Sequence, residues 1–131
     1  MLIDTSGLLC FFDHDDWRHQ DAVAFFHSAT SLVTHDYVLA EFIPLCQTRG
    51  LNREQTLRFT RSVLENPLVE IVWTNEALYQ RAVTLLEARL DKTYSLCDAV
   101  SFILMRERGV NEALTTDHHF EQEGFGRLLE S

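Results

Sequence analysis

The chain contains 131 residues, 46% of them hydrophobic and 24% charged, and its formal net charge at pH 7 is −9. These values are typical of one globular domain with a sizeable core, which we expect to span residues 1–131. No apolar run approaches the roughly 20 residues that a membrane-spanning helix needs, so we expect no membrane contact. The excess of negative charge argues against broad, non-specific nucleic-acid binding.

The first half of the chain predicts two strands and four helices. In chain order these are a strand at residues 1–3, helices at 8–12 and 17–29, a strand at 31–34, and helices at 37–49 and 53–65. Amphipathic spacing of the apolar residues supports the longer helices. Asp36 and Asn52 are residue types that cap helices, and they precede the last two. Gly50 follows the helix at 37–49 and favours its end there.

The second half predicts two further strands, one candidate strand and two helices. In chain order these are a strand at residues 69–73, a long helix capped by Thr74 or Asn75, a helix at 95–108, a strand at 113–115, a loop or short helix at 117–123, and a possible edge strand at 126–129. The polar residues 91–94 separate the two helices, and Gly109 favours the end of the second one.

Alternation of strands and helices indicates the fold class. Parallel strands need crossover connections, and the helices between these strands supply them. The sequence therefore predicts an α/β protein with three α/β/α layers around a central parallel sheet of four to five strands. In open sheets of this kind, ligands bind outside the carboxyl ends of the strands.

Four carboxylates occupy positions near that edge of the sheet. Asp4 and Asp117 end predicted strands, Glu41 is the only charge in an apolar helical turn, and Asp98 lies in the first turn of a helix. Each also has a plain structural explanation. Asp4 and Asp117 are typical of helix caps or turns. Glu41 suits an exposed helix position, and Asp98 with Ser95 matches a capping box.

Four converging carboxylates would repel one another and raise their own pKa values unless a cation lay between them. Oxygen ligands suit Mg²⁺ or Mn²⁺, and no thiol or imidazole cluster has a standard zinc spacing. His118 and His119 adjoin Asp117. Adjacent side chains generally point in different directions, however, so a histidine-based metal site is disfavoured.

Several motifs resemble those of the PIN domain, in particular the toxin ribonucleases of VapC type. The resemblance covers essentially the whole chain and rests on Ile-Asp-Thr-Ser at residues 3–6, the mid-helix Glu41, Ser-Leu-Cys-Asp-Ala at 95–99 and Leu-Thr-Thr-Asp-His-His-Phe at 114–120. It implies a parallel sheet with acidic residues at its carboxyl edge, and Mg²⁺- or Mn²⁺-dependent cleavage of RNA.

The same resemblance implies roles for individual residues. It places metal-ligand and catalytic positions on the four carboxylates, and supporting hydroxyls on Ser6 and Thr116. It also implies an RNA substrate and an antitoxin partner, and we expect a homodimer. A cation in such a site would activate water against a phosphodiester, so no covalent nucleophile would be needed.

Two other functions are compatible with the same sheet edge. One is an α/β phosphoesterase with Asp4 as nucleophile, although such enzymes usually carry a second Asp where this chain has Ser6. The other is a non-catalytic binding domain that keeps the fold. Against this second alternative, a scaffold has little use for a repulsive cluster of carboxylates.

Three cysteines, Cys10, Cys46 and Cys97, lie inside apolar helical patterns and show no paired spacing. We therefore expect buried free thiols in a reducing compartment, and a cytoplasmic protein. The N-terminus also lacks the Lys or Arg of an export signal.

Two surface features concern partners. Arg49, Arg53, Arg58 and Arg61 concentrate positive charge in one segment, as a phosphate contact or merely as a solvated helix face. Phe11, Phe12 and Trp17 are large rings for so small a domain. They would either pack inward or remain partly exposed as an antitoxin interface. The sequence leaves both questions open.

Overall fold

The structure is a computed structural model that describes residues 1–131 in five strands and seven helices. In chain order they are β1 (Leu2–Ile3), α1 (Thr5–Phe12), α2 (His19–Ser28), β2 (Leu32–His35), α3 (Asp36–Thr48), α4 (Arg53–Glu65), β3 (Val69–Val72), α5 (Glu76–Glu87), α6 (Leu96–Arg108), β4 (Glu112–Leu114), α7 (His119–Gln122) and β5 (Gly126–Arg127). The segment predicted as a loop or short helix therefore contains the one-turn helix α7.

All five strands form one parallel sheet in the order β3-β2-β1-β4-β5. Strand β1 is central, and Leu2 pairs with Val33 on one side and with Ala113 on the other. The predicted α/β class and the parallel sheet are confirmed. The possible edge strand is also confirmed, since β5 pairs only with β4.

Successive residues of β1 pack on opposite faces of the sheet, as the period of a strand requires. Ile3 packs with Leu8 and Phe42 in the core beneath α1 and α3. Leu2 packs with Phe102 and Met105 of α6 on the other face. The sheet is therefore the middle of three layers, with buried apolar side chains above and below it.

Local capping defines where three helices begin. The side chain of Asn52 accepts a hydrogen bond from the backbone of Gln55 at the start of α4, and Asn75 does the same from Leu78 at the start of α5. Ser95 caps α6. These bonds satisfy backbone N–H groups that have no partner within the helix.

Helix α2 begins two residues later than predicted, at His19, because the preceding residues form a polar loop. Asp16 pairs with Arg18 through a hydrogen bond of 2.9 Å from Nε and another of 2.9 Å from Nη2. The backbone N–H of Asp15 is also bonded to the side chain of Asp13. Such side-chain bonds to the backbone compete with helix formation.

Close packing of α1 against β4 brings two strand ends together. A Cβ atom on Gly7 would lie 1.9 Å from the carbonyl oxygen of Leu114, so only glycine fits this position. The backbone N–H of Asp4 donates to the same oxygen at 3.2 Å. The start of α1 is therefore held against the carboxyl end of β4.

The three cysteines are buried and free of disulfide bonds, as predicted. No helix has the combination of length and apolar character that crossing a bilayer requires.

Candidate active site

A cavity of about 400 Å³ opens where β1 and β4 end. The side chains of the four carboxylates singled out in the sequence meet there, together with polar neighbours from three helices and two loops. The residues that line it are Asp4, Thr5, Ser6, Glu41, Leu45, Thr93, Ser95, Cys97, Asp98, Thr116, Asp117 and His119. Their roles as metal ligands and catalytic groups remain predictions.

Asp4 lies at the floor of the cavity and is only 5% exposed. It occupies the N-cap position of α1, but its side chain makes no capping bond. Instead, Oδ2 accepts a hydrogen bond of 2.8 Å from the hydroxyl of Thr115. Burial, together with the nearby charges of Asp98 and Asp117, raises the pKa of Asp4 to about 7 against the opposing effect of that hydrogen bond. Helix capping therefore does not explain this residue.

Thr115 connects three parts of the cavity and was not identified from the sequence. Its Oγ1 accepts from the backbone N–H of Asp117 at 3.0 Å and lies 3.1 Å from Oγ of Ser6. Thr116, the residue predicted to supply a supporting hydroxyl, donates its backbone N–H to Ser6 at 3.0 Å and lines the cavity wall. The register could have revealed Thr115, because Ile3 pairs with Leu114 and the following residues are then neighbours.

Asp98 has both of the roles that the sequence allowed. Its Oδ2 accepts from the backbone N–H of Ser95 at 3.0 Å, and its own N–H donates to Ser95 Oγ at 3.0 Å, which completes the capping box. The same carboxylate lines the cavity. Burial raises the pKa of Asp98, and the charge of Asp117 adds to this effect.

Asp117 and His119 form a tight turn that brings the imidazole into the cavity. Oδ1 of Asp117 accepts from the backbone N–H of His119 at 2.9 Å. The ring Nδ1 of His119 then lies 3.0 Å from Oδ2 of Asp98 and 3.3 Å from Oδ2 of Asp117. The sequence disfavours a histidine-based metal site, yet the ring of His119 does lie among the carboxylates. His118 does point away, with its side chain 66% exposed.

Glu41 lies on α3 at the rim of the cavity, next to Leu45 one helical turn further on. Its side chain is exposed, as the alternative explanation for this residue expected. Glu41 can be exposed and still line the cavity, because the rim of the cavity faces solvent.

No Lys or Arg forms an ion pair with any of the four carboxylates, and the only ring nitrogens within 4 Å of them belong to His118 and His119. The clustered arginines lie elsewhere. Arg53 donates to Gln47, and Arg58 pairs with Glu54 on the exposed side of α4. That segment is a solvated helix face in this structure. The acidic cavity thus lacks a fixed basic neighbour that would balance its charge.

The thiol of Cys97 also lines the cavity. Burial raises its pKa, and the negative charges of Asp4 and Glu41 raise it further. A thiol is a nucleophile only as the thiolate. Cys97 therefore stays protonated near neutral pH, which disfavours covalent catalysis by this residue.

The large rings near α1 divide into two groups. Phe11 and Phe12 are half-buried and pack on Phe59, with ring centroids 5.8 Å and 4.9 Å away. Trp17 is 65% exposed. Of the three residues considered as an interface, only Trp17 presents most of its surface to solvent.

Comparisons of the sequence and of the structure with known proteins find the same kind of relative. The 23S rRNA-specific endonuclease VapC20 from two strains of Mycobacterium tuberculosis is 27% identical over 126 residues, with 95% of each chain covered. The crystal structure of Mycobacterium tuberculosis VapC20, described as a sarcin-ricin loop cleaving toxin, superposes with a TM-score of 0.85 at 25% identity and covers 95% of both chains. The model of the PIN domain family matches residues 1–125, and the chain therefore belongs to this family.

Proposed function

We propose that this protein is a Mg²⁺- or Mn²⁺-dependent endoribonuclease that acts as the toxin of a toxin–antitoxin pair. The observation that carries the proposal is the cavity where Asp4, Glu41, Asp98 and Asp117 meet at the carboxyl edge of a parallel sheet. Its PIN family membership and its likeness to the VapC20 endonuclease support the same function.

The donor set fits a hard divalent cation. Asp4 is buried without a basic partner, and its pKa is raised toward neutrality by burial and by neighbouring carboxylates. This is the unfavourable arrangement that a cation would relieve. Asp4, Asp98 and Asp117 would hold the ion, with Glu41 at the rim contributing directly or through water.

The protein's own residues orient these ligands. Thr115 holds one oxygen of Asp4, Ser95 holds one oxygen of Asp98, and the backbone of His119 holds one oxygen of Asp117. A bound divalent cation would supply water activation and charge neutralisation at the scissile phosphate. Ser6 supports the arrangement through Thr115 and the backbone of Thr116.

The substrate we propose is a loop of structured RNA. The VapC20 relatives are named for 23S rRNA, and the solved one for the sarcin-ricin loop. A nuclease that attacks one defined loop does not need the broad positive surface of a non-specific RNA-binding protein. The net charge of −9 is compatible with that mode of recognition.

The antitoxin part of the proposal rests on charge and exposed aromatic surface. A basic side chain inserted among Asp4, Asp98 and Asp117 would replace the cation and silence the site. Trp17, which is 65% exposed, offers an apolar contact for the same partner. Co-purification with the product of a small neighbouring reading frame tests this part. Expression alone without growth arrest, together with failure of every co-expressed candidate to bind, would contradict it.

We also propose a homodimer. Tyr79 and Val83 are one helical turn apart on α5, and their exposed fractions are 44% and 38%. Such neighbouring apolar side chains at a surface favour association. Light scattering should give about twice the chain mass of 15.2 kDa, and Val83→Glu should shift the protein toward that monomer mass.

Two further proposals concern organisation. Residues 1–131 form a single PIN domain, supported by Leu129 packing in the same core as Ile3 and Leu8. The protein is cytoplasmic, supported by three buried cysteines that remain free thiols. The single domain is tested by unfolding followed with two spectroscopic probes, whose transitions should coincide. The location is tested by fractionation of the producing cells.

The central experiment incubates the purified protein with a sarcin-ricin stem-loop RNA and with a scrambled control, in Mn²⁺, Mg²⁺ or EDTA. Cleavage of the stem-loop that requires metal and is lost in Asp4→Asn is expected. Glu65→Gln removes an exposed carboxylate that does not line the cavity and should leave cleavage unchanged. Hydrolysis of a phosphate-ester dye without RNA cleavage would favour the phosphoesterase alternative. RNA binding without cleavage would favour the non-catalytic alternative.

A further inference from the structure

We propose that Nδ1 of His119 is a direct ligand of the cation in this site and makes it prefer Mn²⁺ over Mg²⁺. The proposal rests on the proposed metal-dependent function and adds a nitrogen donor to an otherwise all-oxygen set. The imidazole would then determine which divalent ion the protein uses.

Three potential ligand atoms already converge. One ligand atom each from Asp98, Asp117 and His119 lies within 4.8 Å of the others. Nδ1 is 3.0 Å from Oδ2 of Asp98 and 3.3 Å from Oδ2 of Asp117. Adjacent ligands of one octahedral ion, each about 2.1 Å from the metal, are about 3.0 Å apart. The imidazole nitrogen therefore stands at the separation that a shared ion requires.

Two carboxylate oxygens and a ring nitrogen all carry lone pairs, so they can lie this close only if a proton or a metal cation lies between them. In the protein without metal, the N–H of Nδ1 meets that need by donating to Asp98. In the metal-bound protein the cation meets it, and the ring proton lies on Nε2. Oγ1 of Thr93 lies 3.0 Å from Nε2 and is placed to accept a hydrogen bond from that N–H group. Histidine ligands in proteins commonly donate their second N–H to a neighbouring acceptor in this way.

The ring is held in place before any ion binds. The side chain of His119 is 16% exposed, and its ring meets that of Tyr94 edge-on, with centroids 5.3 Å apart. Its backbone N–H is bonded to Asp117. The neighbouring His118 has none of these supports, is 66% exposed, and lies 3.8 Å from Oδ1 of Asp117. His118 is therefore a matched control for any substitution of His119.

Nitrogen coordination predicts a metal preference. Mg²⁺ is bound almost wholly by oxygen ligands. Divalent ions of the first transition series, Mn²⁺ among them, accept imidazole more readily. Loss of the imidazole should therefore weaken Mn²⁺ binding about 10-fold or more and Mg²⁺ binding much less. Competition titrations on wild type, His119→Gln and His118→Gln measure both affinities, and only the first variant should lower the ratio of Mn²⁺ to Mg²⁺ affinity.

Pulsed electron paramagnetic resonance of the Mn²⁺-loaded protein tests the bond itself. Wild type and His118→Gln should show nuclear modulation from a directly bound nitrogen, and His119→Gln should lose it. Labelling the wild-type histidines with ¹⁵N should change that modulation, which keeps the test decisive even if His119→Gln fails to fold.

Each outcome has a clear meaning. Stoichiometric Mn²⁺ binding without nitrogen modulation would overturn the ligand proposal and leave the nuclease proposal standing. Modulation that persists in a folded His119→Gln protein would also overturn it. Absence of any Mn²⁺ or Mg²⁺ binding to wild type would end both this proposal and the metal dependence of the proposed function.

Discussion

The hydroxyl of Thr115 donates to Oδ2 of Asp4 across 2.8 Å, and both side chains are buried where β1 and β4 end. The same hydroxyl oxygen accepts the backbone N–H of Asp117. One neutral side chain thus holds the carboxylate of Asp4 and the backbone of Asp117.

Replacing Thr115 with valine should therefore weaken metal binding about 10- to 100-fold, as loss of a group that orients a ligand commonly does. It should also lower the free energy of unfolding by about 1–3 kcal/mol, because Asp4 and the N–H of Asp117 lose a buried partner. Calorimetric Mn²⁺ titration and thermal unfolding measure the two effects. Thr116→Val is the control, since no hydrogen bond from that hydroxyl is seen. Equal losses in both variants would show that Thr115 has no special role.

Asp98 belongs to the capping box of α6 and is also a predicted metal ligand. Two substitutions separate these roles. Asp98→Asn keeps an oxygen that can accept from Ser95, so the metal-free protein should be as stable as wild type or more so. RNA cleavage should fall at least about 100-fold, because a ligand charge is lost. Ser95→Ala should do the reverse, costing about 1 kcal/mol of stability with cleavage retained. Melting in EDTA and cleavage in Mn²⁺ are measured on both. Near wild-type cleavage by Asp98→Asn would leave only the capping role.

Gly7 should tolerate no side chain. An added Cβ would lie 1.9 Å from the carbonyl oxygen of Leu114, and backbone atoms must move to accommodate it. We expect Gly7→Ala to cost more than about 2 kcal/mol, at the upper part of the range for overpacking, and to displace Asp4 from Thr115. Gly109→Ala meets no atom within 4 Å and carries only the strain of a φ of 63°, about 1–2 kcal/mol. Denaturant unfolding compares them. The prediction fails if Gly7→Ala is the milder change or leaves metal affinity intact.

His35 should make stability depend on pH. It is fully buried, its Nε2 is bonded to Ser101 at 2.8 Å, and its Nδ1 has no partner. Burial lowers its pKa from 6.5 to about 4. Between these values the unfolded chain binds a proton that the folded chain does not. Stability contributed by neutral His35 is therefore complete above pH 6.5 and is lost as pH falls toward 4, by about 3 kcal/mol in total.

The measurement for His35 is the difference in unfolding free energy between wild type and His35→Gln from pH 8 to pH 4, because other titrating groups cancel in that difference. As pH falls across this range, the unfolding free energy of wild type should decrease relative to that of the variant. A difference that stays constant with pH would mean that folding leaves the pKa of His35 unchanged, and a wild-type advantage that grows as pH falls would mean that folding raises it.

Sequence by itself determined the features that depend on neighbours along the chain. The caps at Asn52 and Ser95 follow from side-chain bonds to backbone within three residues, as does the cap at Asn75, one of the two candidates for α5. The predicted cap Asp36 is instead the first residue of α3, and its side chain accepts hydrogen bonds from Thr74. The parallel sheet follows from helices that separate strands. Asp4 and Asp117 could be assigned to the sheet edge because each follows a short apolar strand.

Tertiary structure decided the features that depend on register and packing between distant segments. Pairing of β1 with β4 selects Thr115 as the partner of Asp4. The turn at Asp117 brings His119 to Asp98, 21 residues away, although its neighbour His118 faces solvent. Sequence periodicity cannot give such pairings, because it specifies which face a side chain occupies within its own element. Which atom of another element it meets depends on how the layers pack.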